Sequence, residues 1–349
     1  MRLDVTGKEA ALLDSVAHSL TDGGRSTGAG QFSVSPTGTL AWAYRRVVTY
    51  PERRPVTVDR RGQVTPLPCP PRSYGEALRL SPDGKRLAVL IRSLTEVGLW
   101  SYDLQRGGLT LIDGGGEVWW PLWSRDGRSL YYTRYGGGSV SMAAQPAESG
   151  GQRRILVAGL PSSFSPDGRQ LAIVRHRDIF TVTVQDGEPV EQSLIVTSAQ
   201  ESWPEFSPDG RWLAYASDYS GRWEVYLRPY PGPGETQVVS LDGGTAPVWH
   251  PNGRELFFVS LPDATGRKAM MNVQLRAGVP RGRPQQLFQF DPNDLAIGGR
   301  WLRVHDIAAD GERFYATQSM AVQPPPPVTH INLIQNWLEE LKAKVPTGR

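Results

Sequence analysis

A β-propeller, an all-β ring of four-stranded blades, is the fold class this sequence predicts, and three observations predict it. A motif recurs seven times, each copy places a tight turn at the same point, and each turn joins two short apolar runs. The copies are Ser33 to Tyr44 (SVSPTGTLAWAY), then segments beginning at Leu78 (LRLSPDGKRLAVLI), Pro121, Ser162, Pro204, Pro247 and His305 (HDIAADGERFYATQ). Their turn glycines, Gly38, Gly84, Gly127, Gly168, Gly210, Gly253 and Gly311, are separated by 46, 43, 41, 42, 43 and 58 residues. A period of that size marks one supersecondary unit stacked repeatedly.

Each copy supplies a hairpin, because glycine reaches positive φ without a Cβ clash and so closes a tight Asp-Gly or Asn-Gly turn. Two further strands follow most hairpins. They are RPVTVDRRG and TPLPC after the first copy, VGLWSYDL and LTLID after the second, and SVSMAAQ and RRILVAG after the third. The fourth continues with DIFTVTVQ and EQSLIVTS, the fifth with WEVYLRPYP and TQVVSL, and the sixth with AMMNVQL and PQQLFQF. Four strands joined as a meander make a propeller blade. The seventh copy has only Thr329 to Asn336 as a third strand, while Ala10 to Ala17 (AALLDSVA) precedes the first hairpin unassigned. Ring closure by that N-terminal strand removes two sheet edges, so seven blades are expected, with six as the alternative. The expectation is a single domain over 1–349: closing strand 10–17, blades 31–336, and a short C-terminal helix 337–345. The long spacing before the last turn places an extended loop at Phe290 to Trp301.

Composition agrees. Thirty-eight Gly and 29 Pro serve many turns, and 39% hydrophobic content with 11 Trp and 12 Tyr fills a core. A net charge of +3 gives no broad cationic face, so a nucleic-acid partner is not expected. The single Cys69 allows no internal disulfide and no cysteine-based zinc site. No apolar run approaches the roughly 20 residues of a membrane span. The first residues, MRLDVTGKEAALLDS, lack a signal-peptide layout, which puts the chain as written in the cytoplasm. A monomer is expected.

The turn motif Ser-Pro-Asp-Gly, two polar residues and an apolar run resembles the WD-repeat-like propeller repeats of the TolB family. The segment SPDGRWLAYASDYSGRWEVYLRPYPGPG (Ser207 to Gly234), then LDGGTAPVWHPNGRELFF and the tail INLIQNWLEELKAKVP, resembles the C-terminal propeller of bacterial membrane-anchored serine/threonine kinases. The chain has no kinase Gly-rich loop, His-Arg-Asp or Asp-Phe-Gly, so it looks like a free-standing or severed sensor and interaction domain. The resemblance implies protein binding and an extracytoplasmic location; TolB itself has six blades.

Chemistry-bearing motifs are sparse. The turn acids Asp83, Asp167 and Asp209 read as holding their own turns. Gly-x-Ser-x-Gly, His-Glu-x-x-His and Gly-x-x-x-x-Gly-Lys are all missing. Propellers take ligands where the innermost strands begin, around the axial channel. Counting back from each turn gives a candidate rim: Gln31, Tyr74, Glu76, Glu117, Trp119, Trp120, Glu201, Trp203, Thr245, Trp301 and Arg303. Two readings follow. In the first, a sensor propeller binds a protein, peptide, envelope or small-molecule ligand through Gln31, Tyr74, Glu117, Trp119, Trp203, Trp301 and Arg303, and needs no cofactor. In the alternative, Glu76, Glu201 and His305 hold a divalent cation (Ca, Mn or Zn) and catalyse hydrolysis or elimination of an ester, phosphoester or glycoside.

Overall fold

The structure is a computed structural model. It describes residues 18–20, 26–30, 32–36, 38–43, 52–70, 72–92, 97–114, 116–136, 139–148, 150–184, 188–320, 331–335 and 337. Two compact units divide the chain, residues 52–320 and residues 1–51 with 321–349. Every described element is a strand.

Residues 52–320 hold six sheets that each begin with a turn hairpin. Blade A is Tyr74–Leu80, Arg86–Arg92, Val97–Asp103 and Leu109–Gly114. Blade B is Glu117–Trp123, Ser129–Gly136, Ser139–Pro146 and Arg154–Ile155. Blade C is Leu160–Phe164, Gln170–Arg175, Asp178–Thr183 and Val190–Ile195. Blade D is Glu201–Phe206, Trp212–Ser217, Glu224–Pro229 and Gln237–Val238. Blade E is Thr245–Trp249, Glu255–Val259, Lys268–Arg276 and Val279–Phe290. All are antiparallel meanders, as the repeat predicts.

Blade F joins the two ends of this unit. The hairpin Asp306–Ile307 and Arg313–Ser319 takes its third and fourth strands, Arg53–Asp59 and Val64–Pro66, from the start of the unit. Seven residue pairs, from Arg313 against Asp59 to Ser319 against Arg53, zip the seam. Val56, Val58, Phe314 and Ala316 are fully buried there, in one cluster with Phe257 of blade E. Arg79 of blade A donates to the carbonyl of Arg303 at 2.6 Å on the other side. Residues 52–320 therefore hold six of the turn-headed sheets.

The turn hairpin of the first repeat lies in the other unit. Phe32–Val34, Leu40–Ala43 and Ile331–Ile334 form a three-stranded sheet there, and His18–Leu20 and Ser26–Gly30 form a separate pair. Seven turn-headed sheets thus match the seven repeats, but the first and last copies exchange third strands. Ile331–Ile334, expected beside the seventh hairpin, pairs with Leu40–Ala43; the run after the first hairpin pairs with the seventh. Both runs have the same two-residue alternation, so pattern alone does not choose between neighbours. The proposed closing strand 10–17 lies outside the described residues, and of the helix 337–345 only Trp337, buried, is described.

The turns are built as their residues demand. In blade D, Ser207 Oγ donates to Asp209 Oδ1 at 2.6 Å, Asp209 Oδ1 accepts from Arg211 N–H at 3.1 Å, and Gly210 sits at φ 70°. The same Ser–Asp bond recurs at Ser81, Ser124 and Ser165. The turn acids are structural.

Candidate functional site

Each inner strand runs from one end of the channel, here the inlet end, to the end that carries the Ser-Pro-Asp-Gly turns. Five of these strands are interrupted by a register shift near their middle, at Tyr74/Leu78, Trp119/Leu122, Pro161/Ser163, Ser202/Glu205 and Thr245/Val248. Three of the shifts place a non-glycine residue at positive φ seven positions before the turn glycine: Trp120 (47°), Trp203 (52°) and Ala246 (51°). Such bulges re-aim side chains at the rim of a sheet.

Blade F carries the same interruption enlarged. Leu295–Ala296 pairs with the inlet half of Arg313–Ser319 and Asp306–Ile307 with the turn half, so residues 297–305 leave the sheet. A hairpin-like reversal, Val304 N–H to the Gly298 carbonyl at 3.0 Å, folds this segment back. It needs glycine at 299, where φ is +104° and a Cβ would lie 2.1 Å from the Leu302 carbonyl oxygen. The loop expected at Phe290 to Trp301 only overlaps this segment: Leu295–Ala296 within it is a strand, and the excursion runs on to residue 305. It reaches blade D, where Ser202 Oγ donates to the Trp301 carbonyl.

The turn end holds a pit of about 350 Å³ with an ionic cluster at its floor. Arg303 lies 3.4 Å from both Glu205 and Asp306, and its side chain is only 7% exposed. Arg79 gives its guanidinium to the carbonyls of Leu78, His305 and Arg303, and burial, with Arg303 alongside, pushes it down to about 10. Burial pushes Glu205 up, against the pull of Arg303 and Arg79. His305 is fully buried; desolvation, then Arg303 and Arg79, holds its pKa well below the ordinary imidazole range. Its Nδ1 accepts from Gly298 N–H at 3.2 Å. Trp123 and Trp249 cap the arrangement, donating from Nε1 to the carbonyls of Arg79 and Glu205 in the preceding blades at 3.0 and 3.1 Å. This end is cross-braced.

The inlet end is open and aromatic. A pocket of about 730 Å³ is walled by Trp120, Tyr135, Phe180, Trp223 and Trp301, all half-buried. Trp203 lies beneath, 4% exposed, edge-on to Trp223 with centroids 5.1 Å apart. Glu201 also lines the pocket and is 1% exposed; Thr197 and Ser217 hydroxyls hold its Oε1 at 2.5 and 3.4 Å, and burial raises its pKa. At the edge, His176 and Arg177 form a two-residue hairpin turn with φ 53° and 72°. Glu201 N–H donates to the Arg177 carbonyl at 2.6 Å and pins that turn to blade D. Arg177 and Arg300 then stand 5.3 and 5.2 Å from the Trp301 ring centroid.

The expected rim is therefore divided. Trp120, Glu201 and Trp301 meet in the inlet pocket, with Trp203 below them. Tyr74 is buried and donates to the Pro70 carbonyl at 2.8 Å; Glu76 faces Arg53 at 3.7 Å and Glu117 faces Arg92 at 3.6 Å. Trp119 lies under the Arg92 guanidinium at 3.9 Å, and Thr245 is buried in blade E. Arg303 and His305 belong to the turn-end cluster, and Gln31 lies outside the described residues. Glu76, Glu201 and His305 are not brought together: among the described residues no three His, Cys, Asp or Glu side chains group for a metal ion. Trp223, Phe180, His176, Arg177 and Arg300 escaped the count back from the turns because none lies on an inner strand. A two-residue gap between two clear strands, filled by His-Arg rather than Asn-Gly, was the available signal.

Residues 121–281 match the family model described as the TolB beta propeller domain. An uncharacterized peptidase of Bacillus subtilis, YuxL, is 32% identical over 145 residues, covering 40% of this chain and 21% of that protein. The uncharacterized protein Atu1656 of Agrobacterium fabrum is 29% identical over 176 residues, covering 48% of this chain and 58% of its own length. The chain thus spans about a fifth and rather more than half of these curated relatives. A solved structure from Agrobacterium tumefaciens, assigned as a TolB, superposes with TM-score 0.61 at 20% identity, covering 78% of this chain and all of the other. No described helix is long and apolar enough to cross a membrane.

Proposed function

We propose that this chain is a binding or sensor propeller that captures a segment of a protein partner at the inlet end of its channel. The observation that carries this reading is the aromatic pocket: five half-buried rings around about 730 Å³, contributed by blades B, C and D and the segment that crosses from blade F. Large apolar side chains in concave sites are where protein ligands are gripped, since each buried aromatic removes much apolar surface from water. TolB-like propellers commonly serve as protein-binding modules, and that resemblance supports both the reading and an extracytoplasmic setting.

Selection from a random displayed dodecapeptide library tests it. Wild type enriches peptides with an aromatic or large aliphatic residue, and Trp223→Ala fails to bind the enriched set. A wild-type protein that enriches nothing above the Trp223→Ala background contradicts the reading.

A further inference from the structure

We infer that the segment captured by the inlet pocket is acidic: an aromatic side chain fills the pocket while flanking carboxylates pair with Arg177 and Arg300. This rests on the pocket being a protein-binding site and adds the charge of its ligand.

Charge complementarity carries the step. His176 and Arg177 line the pocket, Arg300 adjoins its Trp301 wall, all three are exposed, and none makes an ion pair with a described residue. Two of them, Arg177 and Arg300, both stand against one ring, Trp301. Of the acids nearby, Asp178 directly follows Arg177 and is half-buried, and three others are engaged. Glu191 binds Arg175, Asp218 accepts from Gln200 N–H at 2.7 Å, and Glu201 is buried with Oε1 held by two hydroxyls. Three exposed basic side chains against the half-buried Asp178 leave the surround of the rings net cationic, and guanidinium forks suit carboxylates.

The geometry also shows that Arg177 is not placed there by the needs of the turn. His176 and Arg177 both occupy the left-handed region, where Asn-Gly is the favoured pair and larger side chains are strained. Local stability favours glycine at 177. An arginine there stacks on Trp301 and offers its charge to the pocket mouth.

Capped heptapeptides read the inference out on the full chain by tryptophan fluorescence: Gly-Glu-Glu-Phe-Glu-Glu-Gly, the same peptide with Lys for Glu, and the acidic peptide with Ala for Phe. The acidic aromatic peptide binds about tenfold tighter than the lysine-flanked one at low salt, the scale of two exposed charge pairs. The preference shrinks as salt rises, and the Ala peptide binds weakest. Arg177→Gly keeps or raises the melting temperature yet loses most of the preference, and Arg177→Gly with Arg300→Glu reverses it. Equal binding of both aromatic peptides, with Trp223→Ala abolishing both, overturns the charge inference and leaves the pocket reading standing. Undiminished binding of the Ala peptide also overturns it, and failure of both aromatic peptides overturns the two readings together.

Discussion

The two ends of the channel in residues 52–320 are made from the same repeated strand and have opposite characters. At the turn end, charged groups face one another across the axis and are braced by indole donors; Arg79, Arg303 and His305 are almost wholly buried. At the inlet end, aromatic rings remain half-exposed and the arginines beside them are solvated. The dividing line is the bulge in each inner strand and its enlarged form, residues 297–305. Below it the strands pair in register toward the turns; above it the chain is free to re-aim side chains. One repeat can thus hold a ring together at one end and present a variable surface at the other, which is the division of labour seen when rigid scaffolds carry binding loops.

The contrast can be broken first at the turn end. Arg303→Met strips the half-buried Glu205 and Asp306 of their shared, buried partner, and breaking such a pair costs about 3 kcal/mol, read as a lower urea midpoint. At the inlet end Trp301→Ala should behave the other way. Binding of the acidic aromatic peptide falls about thirtyfold, as for a central aromatic contact, while the urea midpoint moves far less. If both variants lose stability equally, the ends do not differ as described.

His305 gives a pH signature that belongs to the turn end alone. Its folded pKa lies below the unfolded value of about 6.5, so acid protonates the unfolded chain first and stability falls as pH drops below that value. Glu205, raised by burial, works in the opposite sense at lower pH. His305→Asn should flatten the slope of unfolding free energy between pH 7 and pH 5.5, measured by denaturant titration. The smallest effect is expected from Trp249→Phe, which removes one indole bond to the Glu205 carbonyl and costs about 1 kcal/mol without altering binding.

The sequence made the blades readable because turn chemistry and two-residue alternation are local properties. Ser207, Asp209 and Gly210 announce their hairpin within four residues, and the structure builds it from those atoms. Strand exchange between the first and last copies was not readable, since Arg53–Asp59 and Ile331–Ile334 alternate alike and only the packing of Val56 and Val58 against Phe314 distinguishes them. The site was half legible for a related reason. Counting from turns found Trp120, Glu201 and Trp301, which sit at or beside the inner strands. It also gathered Arg303, because a count along the chain assumes a continuous strand. Residues 297–305 break that assumption, folding back through Gly298 and Gly299 so that neighbours in sequence serve opposite ends.

The most direct test is hydrogen–deuterium exchange of the full chain with and without the acidic aromatic peptide. Slower exchange confined to the segments around 176–180, 201–203 and 299–303, with 79–84 and 205–210 unchanged, is the predicted result. Protection concentrated at 79–84 and 205–210 would place the ligand in the turn-end pit and contradict the account.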